Sequence, residues 1–357
     1  MKTHRGDLNR YLAAVLEELE SSAVPHGEMY QLLWKYLHQA VLGGKFFRGW
    51  LVTELHAELN RESSQDAVRV GAAFELLHEG FLIHDDLIDG DTIRRGAPNL
   101  AAQIMRAPAL ASTSESARVH FGNSAALLAG DLAIALAGKL LSDVVAGPDT
   151  KTRLNDLWFE TIFTTVAGEL NDVLAGLLPG RFNSEDVLKT TAAKTAKYSF
   201  QSPLVAAALL AGSPDSTIES LKRIGLSLGI AFQLADDLLG MFAASSVTGK
   251  DSMSDLREGK TTLLALEAKS LPVWQQIEPY FGRGDLSETH ALKVQKLLAK
   301  SEAPGRVISL AHHHVENAKG IAAAQGLFEA DSALCVTSEM IIERLKTAEQ
   351  ALKSLAN

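Results

Sequence analysis

The chain has 357 residues, of which 46% are apolar, so it is long enough to bury a large core. Its formal net charge of −9 argues against a general nucleic-acid-binding protein, because a phosphate backbone needs a basic surface. The single cysteine, Cys335, excludes an intrachain disulfide framework and a cysteine zinc site, and it fits a reducing cytoplasm.

The N-terminal segment, residues 1–20, is charged and amphipathic and lacks the apolar region of a secretory signal. No run of about 18 uncharged apolar residues follows it, so we predict no membrane span. Apolar residues instead recur at three- and four-residue steps in segments such as 68–82, 125–141 and 224–239. This periodicity predicts helices rather than strands. We therefore expect an all-α protein with one large helical domain over residues 1–357.

The first acidic cluster follows an apolar helical stretch. Asp85 and Asp89 are four residues apart, so both carboxylates project from one helix face, while Asp86 points elsewhere. Two stacked carboxylates repel each other, and a divalent cation removes that repulsion. Magnesium takes one or two carboxylates and completes its shell with water and phosphate oxygens. The spacing therefore predicts that Asp85 and Asp89 bind magnesium.

A second acidic pair, Asp236 and Asp237, follows Gln233 on another apolar helix, and Lys250 and Lys260 come after it. Carboxylates and lysines suit a diphosphate ligand, because magnesium bridges the two anions and the basic side chains cover the remaining oxygens. One such pair is more often a solvated acidic patch. Two pairs near the C-terminal ends of apolar helices oppose the helix dipole, so we expect cations to compensate them.

Six motifs occur in order: residues 43–48 (Gly-Gly-Lys-Phe-Phe-Arg), His78, residues 85–89 (Asp-Asp-Leu-Ile-Asp), Arg94-Arg95, Lys194-Thr195, and Gln233 with Asp236, Asp237, Lys250 and Lys260. Together they resemble the trans-isoprenyl diphosphate synthases, the family of geranylgeranyl and farnesyl diphosphate synthases. The resemblance runs from about residue 43 to residue 264. It implies an isoprenoid-synthase-type helical bundle around a central hydrophobic substrate channel, and a cytoplasmic homodimer.

The resemblance also implies a reaction, the magnesium-dependent head-to-tail joining of isopentenyl diphosphate to an allylic diphosphate. Isopentenyl diphosphate would be bound by Lys45, Arg48, His78 and Arg95. The allylic diphosphate would be bound by Arg94, Lys194, Lys250 and Lys260. Two or three magnesium ions would be held by Asp85, Asp89 and Asp236, with Asp86 in the same catalytic motif. Thr195 and Gln233 would stabilise the allylic cation.

Five positions depart from the family pattern. Phe46 and Gly49 stand where the first arginine and the proline of the Gly-Gly-Lys motif are usual. Asn99 and Ala101 replace a threonine and a histidine, and Gly240 replaces the last aspartate of the second motif. Because Lys45 and Arg48 remain, we expect isopentenyl diphosphate binding to survive. The second acidic motif has fewer ligands, so its metal depends more on substrate phosphate.

The helix beneath Asp85 sets the expected product length. One helical turn rises about 5.4 Å, close to one isoprene unit, so residues one and two turns earlier meet the growing tail: Leu77, Gly80 and Phe81. Phe81 would form a floor, and Gly80 would leave space beside it. One aromatic residue and one glycine favour a C20 product, with C15 next.

Two other interpretations stay open. A class I terpene cyclase also uses an aspartate-rich motif in a helical bundle, but it does not need Lys45, Arg48 and His78 together. A non-catalytic subunit of a heteromeric prenyl synthase is the other, although such subunits usually lose the aspartates that are complete here.

Overall fold

The computed structural model describes residues 2–62, 64–178, 180–243 and 254–356. Over these residues the chain forms helices joined by short connections, with one antiparallel pairing of two-residue strands, Ile93–Arg94 (β1) and Ala97–Pro98 (β2). The expected all-α fold is confirmed. The helices are α1 Lys2–Ser22, α2 Glu28–Leu42, α3 Phe47–Asn60, α4 Gln65–Asp89, α5 Leu100–Met105, α6 Glu115–Ser142, α7 Pro148–Leu177, α8 Ser184–Thr191, α9 Ser202–Leu210, α10 Asp215–Phe242, α11 Ser254–Glu258, α12 Leu263–Lys269, α13 Trp274–Ile277, α14 Glu288–Ala299, α15 Ala303–Ala324 and α16 Ala333–Ala356.

Four further helical pieces complete the described chain. Three are single 3₁₀ turns, at Val24–His26, Pro108–Leu110 and Glu278–Tyr280, and the fourth is a π-helical segment at Ala192–Gln201. The chain divides into two compact units, Met1–Asp156 with Ala206–Ser213 and Leu157–Val205 with Pro214–Asn357. One domain over residues 1–357 stays a prediction.

The first unit is organised around α4, which packs against α3 and α6. The approach of α3 is close: a Cβ on Gly71 of α4 would lie 2.9 Å from the carbonyl oxygen of Gly49 on α3. Only glycine at both positions lets the two backbones come together without a shift, since side-chain atoms would overlap there. Trp50 and Phe74 are fully buried beside this crossing. The crossing fixes the start of α3, which carries Arg48, against the middle of α4.

The open space expected beside Gly80 is not present, because α6 fills it. A Cβ on Gly80 would lie 2.8 Å from Cγ1 of Ile134 and 3.1 Å from the carbonyl oxygen of Gly130. Gly80 thus permits close packing of α4 on α6 rather than leaving an open space. Leu77 is fully buried, and Phe81 is half-buried. A role for these three residues in product length stays a prediction.

The second unit is organised around α10, which packs against the π-helical segment, α15 and α16. Two glycines allow the π-helical segment to approach its neighbours. A Cβ on Gly229 of α10 would lie 2.3 Å from Cβ of Ala196, and a Cβ on Gly168 of α7 would lie 2.4 Å from the backbone nitrogen of Lys194. The segment that carries Lys194 and Thr195 is therefore held between α7 and α10 at backbone contact distance.

Two described helices, α6 and α10, are long and apolar enough to cross a membrane by length and composition alone. Within the tested windows, 50% of α6 and 67% of α10 is buried inside the protein. Core helices of globular proteins pass the same test, so this is weak evidence for a membrane span.

We predict that Gly168→Ala lowers the free energy of unfolding by about 1–3 kcal/mol, because the added methyl group meets the rigid backbone of Lys194. Urea denaturation measures this change. Gly320→Ala is the control, since Gly320 lies on α15 with nothing within 4 Å of the added atom. That substitution should be neutral or stabilising by up to about 1 kcal/mol. Equal effects of the two substitutions would contradict the close approach.

Candidate active site

The first acidic motif ends α4, and an arginine neutralises it. Arg94, on β1, donates from Nε to Oδ1 of Asp86 over 2.7 Å, and its Nη2 lies 3.2 Å from Oδ2 of Asp85. Burial raises the pKa of Asp86 above its ordinary value, although the hydrogen bond and positive charge of Arg94 act to lower it. Asp89 is exposed in the same last turn, which Gly90 closes in the left-handed conformation. Asp86 is thus the main partner of Arg94, while Asp85, which Arg94 also contacts, and Asp89 are the two carboxylates proposed to hold metal.

The hairpin that carries Arg94 and Arg95 is fastened by Asn99. Its side chain accepts a hydrogen bond from the backbone nitrogen of Ala102 over 3.0 Å, which caps α5. Its Nδ2 donates to the carbonyl oxygen of Asp91 over 2.6 Å. Asparagine at this position, one of the departures from the family pattern, therefore has a structural use in this chain.

The four residues predicted to bind isopentenyl diphosphate all lie in the first unit. Arg95 donates from Nη1 to the carbonyl oxygen of Ala40 over 2.7 Å and from Nη2 to Glu79 over 3.1 Å. A Cβ on Gly43 would lie 3.3 Å from Nη1 of Arg95, so Arg95 lies against the Gly-Gly-Lys loop. Lys45 is exposed on that loop.

His78 lies within the electrostatic reach of the arginines. Burial, and then the positive charges of Arg48, Arg95 and Arg94, hold the pKa of His78 well below its usual value. A cationic histidine is disfavoured among three guanidinium groups, so His78 is neutral near pH 7. It can therefore donate one N–H to a diphosphate oxygen but does not supply a positive charge.

Gly49 and Phe46, the two departures in the Gly-Gly-Lys motif, shape the start of α3. The Gly49 N–H donates to Oε1 of Glu75 over 2.7 Å, a bond that a proline at this position could not make. Phe46 is buried and holds a left-handed backbone with φ of 52° immediately before α3. Burial raises the pKa of Glu75, although the nearby charge of Arg48 opposes the increase. Arg48 is thus set beside a buried acid.

The second unit places Lys194 between two acids of α7. Its Nζ lies 2.7 Å from Oδ2 of Asp172 and 2.9 Å from Oε2 of Glu169, and Nζ of Lys260 lies 4.0 Å from the same Asp172 oxygen. The hydroxyl of Thr261 donates to the carbonyl oxygen of Ala175 over 2.9 Å, which ties the residue after Lys260 to α7. Asp172 therefore joins the two lysines predicted to bind the allylic diphosphate. Lys250 lies outside the described residues.

Thr195 and Gln233 are directly bonded. The Thr195 hydroxyl donates to Oε1 of Gln233 over 2.9 Å, and Nε2 of Gln233 donates to Oδ1 of Asp237 over 2.7 Å. Because an ionised carboxylate can only accept, the NH₂ group of the Gln233 amide faces Asp237, and its oxygen faces the Thr195 hydroxyl. A small cavity of about 60 Å³ is lined by these residues together with Asp172, Lys194 and Lys260, among others.

Asp236 has a different partner and is paired with Arg344 of α16 through Nη2 and Oδ1. Its side chain is 49% exposed. No sequence motif connects Arg344 with the acidic motif, because 108 residues separate Arg344 from Asp236. The motifs also leave out Glu75, Glu79 and Asp172. Acidic residues inside otherwise apolar helices were the available signal, since a buried carboxylate needs a partner.

The carboxylates fit magnesium by their chemistry. Asp85, Asp89 and Asp236 offer oxygen donors only, and magnesium prefers oxygen donors. Within the described ranges no group of three or more His, Cys, Asp or Glu side chains is arranged to hold a metal ion by itself. Magnesium commonly takes one or two carboxylates and obtains its other ligands from water and substrate phosphate.

Comparison with known proteins now identifies the class. The family model for polyprenyl synthetases matches residues 30–297. The chain is 32% identical over 249 residues to the geranylgeranyl diphosphate synthase of Sulfolobus acidocaldarius, with 69% of each chain covered. It is 33% identical over 238 residues to the nonaprenyl diphosphate synthase of Mycobacterium tuberculosis, and this match covers 65% of this chain and 62% of that one.

A solved structure agrees. Geranylgeranyl pyrophosphate synthase from Corynebacterium glutamicum, complexed with isoprenyl diphosphate and magnesium, superposes with a TM-score of 0.84 at 26% identity, over 97% of this chain and 99% of that one. The chain belongs to the polyprenyl synthetase family. The resemblance read from the motifs and the predicted enzyme class, a prenyltransferase, are thereby confirmed.

Proposed function

We propose that this chain is a magnesium-dependent prenyltransferase that joins isopentenyl diphosphate head-to-tail to an allylic diphosphate. One observation carries the proposal: in both units the predicted diphosphate-binding cations lie beside carboxylates. Arg94 contacts Asp86 and Asp85, and Lys194 contacts Asp172. A chain that keeps cations and carboxylates so close suits an anionic ligand that arrives with its own metal ions.

Isopentenyl diphosphate is assigned to the first unit. Arg95 and Arg48 supply positive charge, and each is accompanied by a buried acid, Glu79 and Glu75 respectively. A neutral His78 supplies a hydrogen-bond donor, and the exposed Lys45 supplies a further charge. The acids restrict the arginines to defined positions, so less conformational entropy is lost when the diphosphate binds.

The allylic diphosphate is assigned to Arg94, Lys194 and Lys260, with Lys250 expected from the motif alone. Asp85, Asp89 and Asp236 would hold magnesium, whose positive charge stabilises the departing diphosphate. Two or three ions are expected from the family. Gln233 turns its amide oxygen toward the Thr195 hydroxyl. These two oxygen dipoles are held in place before reaction, and they would stabilise the allylic cation that forms when the carbon–oxygen bond breaks.

For the product we propose C20, with C15 next. The relatives include both a geranylgeranyl and a nonaprenyl diphosphate synthase, so similarity alone leaves product length to direct measurement. Phe81 remains the residue one turn before Asp85, and it is half-buried. Because α6 fills the space beside Gly80, we propose that the tail lies along the side of α4 that faces away from α6.

Incubation of the purified chain with magnesium, labelled isopentenyl diphosphate and C5, C10 or C15 allylic diphosphates tests this proposal. Discrete C20 alcohol should appear after phosphatase treatment. Asp85→Asn should lower kcat by about 100-fold or more, because metal stabilisation of the leaving group contributes several kcal/mol. Asp285→Asn, which removes an exposed carboxylate paired with Arg283, is the matched control and should leave the rate unchanged.

Three results would contradict the proposal. Hydrocarbon formed from geranylgeranyl diphosphate alone would indicate a terpene cyclase. An absence of elongation from every starter, together with stimulation of a second synthase, would indicate a regulatory subunit. If the chain neither elongates any starter nor stimulates a second synthase, both the synthase proposal and the regulatory-subunit interpretation fail.

We also propose a cytoplasmic homodimer that pairs through α7. Six apolar side chains alternate at steps of four and three residues along one exposed face: Phe159, Phe163, Val166, Leu170, Val173 and Leu177. This is the heptad spacing with which two helices interlock, and a second copy of the chain presents the same stripe. Phe163 and Leu170 are 67% and 68% exposed in the single chain, a large apolar exposure for an isolated molecule.

Sedimentation velocity tests the dimer. The chain should sediment as a dimer at micromolar concentration, and the double variant Phe163→Glu, Leu170→Glu should sediment as a monomer. Leu292→Glu, on an exposed position of α14, is the control and should stay dimeric. A monomeric unmodified chain, or a dimeric double variant, would contradict pairing through α7.

A further inference from the structure

We propose that Arg344 is a built-in counter-cation for Asp236 and couples metal loading at this carboxylate to the arrival of diphosphate. The inference rests on the proposed role of Asp236 as a magnesium ligand. It adds a residue of the last helix, α16, which none of the six sequence motifs includes.

The contact is specific in geometry. Nη2 of Arg344 reaches Oδ1 of Asp236, and the guanidinium carbon lies 4.8 Å from the centre of the Phe232 ring, one turn earlier on α10. The Phe232 ring in turn packs on Phe200, with ring centres 5.3 Å apart. A guanidinium stacked over a ring and paired with a carboxylate is held by two interactions at once. Arg344 is therefore placed on Asp236 rather than passing near it by chance.

A second observation marks the guanidinium as incompletely satisfied. Its Nε is buried and has no hydrogen-bond partner in the described part of the chain. A buried donor without a partner is costly, and such groups in folded proteins call for a functional explanation. A diphosphate oxygen is the type of acceptor that a guanidinium binds best. Arg344 thus has unused donor capacity beside the carboxylate that we assign to metal.

Arg344 and a divalent metal ion therefore compete for the carboxylate of Asp236. Arginine stays positively charged at every relevant pH, so it neutralises Asp236 and repels a divalent ion from the same oxygen. Asp237, the neighbouring carboxylate, is bonded to Gln233 and faces another partner. Diphosphate changes this balance, because it gives the metal additional oxygen ligands and gives Arg344 a new acceptor. Metal at Asp236 should therefore bind weakly to the free chain and tightly to the chain with diphosphate.

Manganese titration followed by electron paramagnetic resonance tests this directly, without reference to turnover. The probe is Mn²⁺ alone, or Mn²⁺ with inorganic diphosphate, and the contribution of Asp236 is the difference from the same titration in an Asp236→Asn background. Without diphosphate, Arg344→Gln should tighten Mn²⁺ binding at Asp236 by about three- to fivefold, the upper part of the range expected for loss of a partly exposed ion pair. With diphosphate, the two affinities should agree within about 1.5-fold.

Two further variants keep the test decisive. Arg344→Lys retains the charge but loses the planar stacking on Phe232, so its Mn²⁺ affinity should fall between those of the unmodified chain and of Arg344→Gln. Lys346→Gln removes one positive charge from the same helix, where Lys346 pairs with Glu343, and should leave Mn²⁺ affinity unchanged. An Arg344→Gln variant that binds Mn²⁺ no more tightly than the unmodified chain, or that is matched by Lys346→Gln, would overturn the inference. If Asp236→Asn changes Mn²⁺ binding under neither condition, the proposed role of Asp236 fails instead.

Discussion

The structure depends on how carboxylates are neutralised on apolar helices. Asp86 lies in the last turn of α4, where the helix dipole is unfavourable to negative charge, and Asp236 lies about two turns before the end of α10. Each has an arginine placed directly on it, Arg94 and Arg344 respectively. Asp172 on α7 is likewise paired with Lys194. Without these cations, burial and like-charge repulsion would oppose the packing of the helices that carry the acids.

This constraint explains several local features that otherwise look unrelated. The left-handed backbone at Arg95, with φ of 55°, follows directly on Arg94 in the hairpin, and Asn99 fastens that hairpin. The π-helical segment sets Lys194 against α7, and π-helical turns often occur at functional sites. Gly168 makes that approach possible. In each case an irregular backbone serves to place a cation against an acid.

The sequence predicted the carboxylates and most of the cations because both are carried by short motifs. The four-residue spacing of Asp85 and Asp89 follows from local helical periodicity, which a single sequence displays. The roles expected for Gln233 and for the cations came from the resemblance of their motifs to the trans-isoprenyl diphosphate synthases. The partners Arg344, Glu79 and Asp172 are set by tertiary packing between segments far apart in the chain. No local pattern reveals such a contact. The same reason explains the error at Gly80, where the apparent space is occupied by a helix about 50 residues further on.

The central claim is that cations within the chain occupy its carboxylates until metal and diphosphate arrive together. Thermal unfolding with magnesium alone, inorganic diphosphate alone, and both together measures this most directly, because a ligand that binds the folded chain raises the melting temperature. We expect small increases from either alone and a combined increase well above their sum. A full increase from magnesium alone, or a combined increase equal to the sum, would contradict the account.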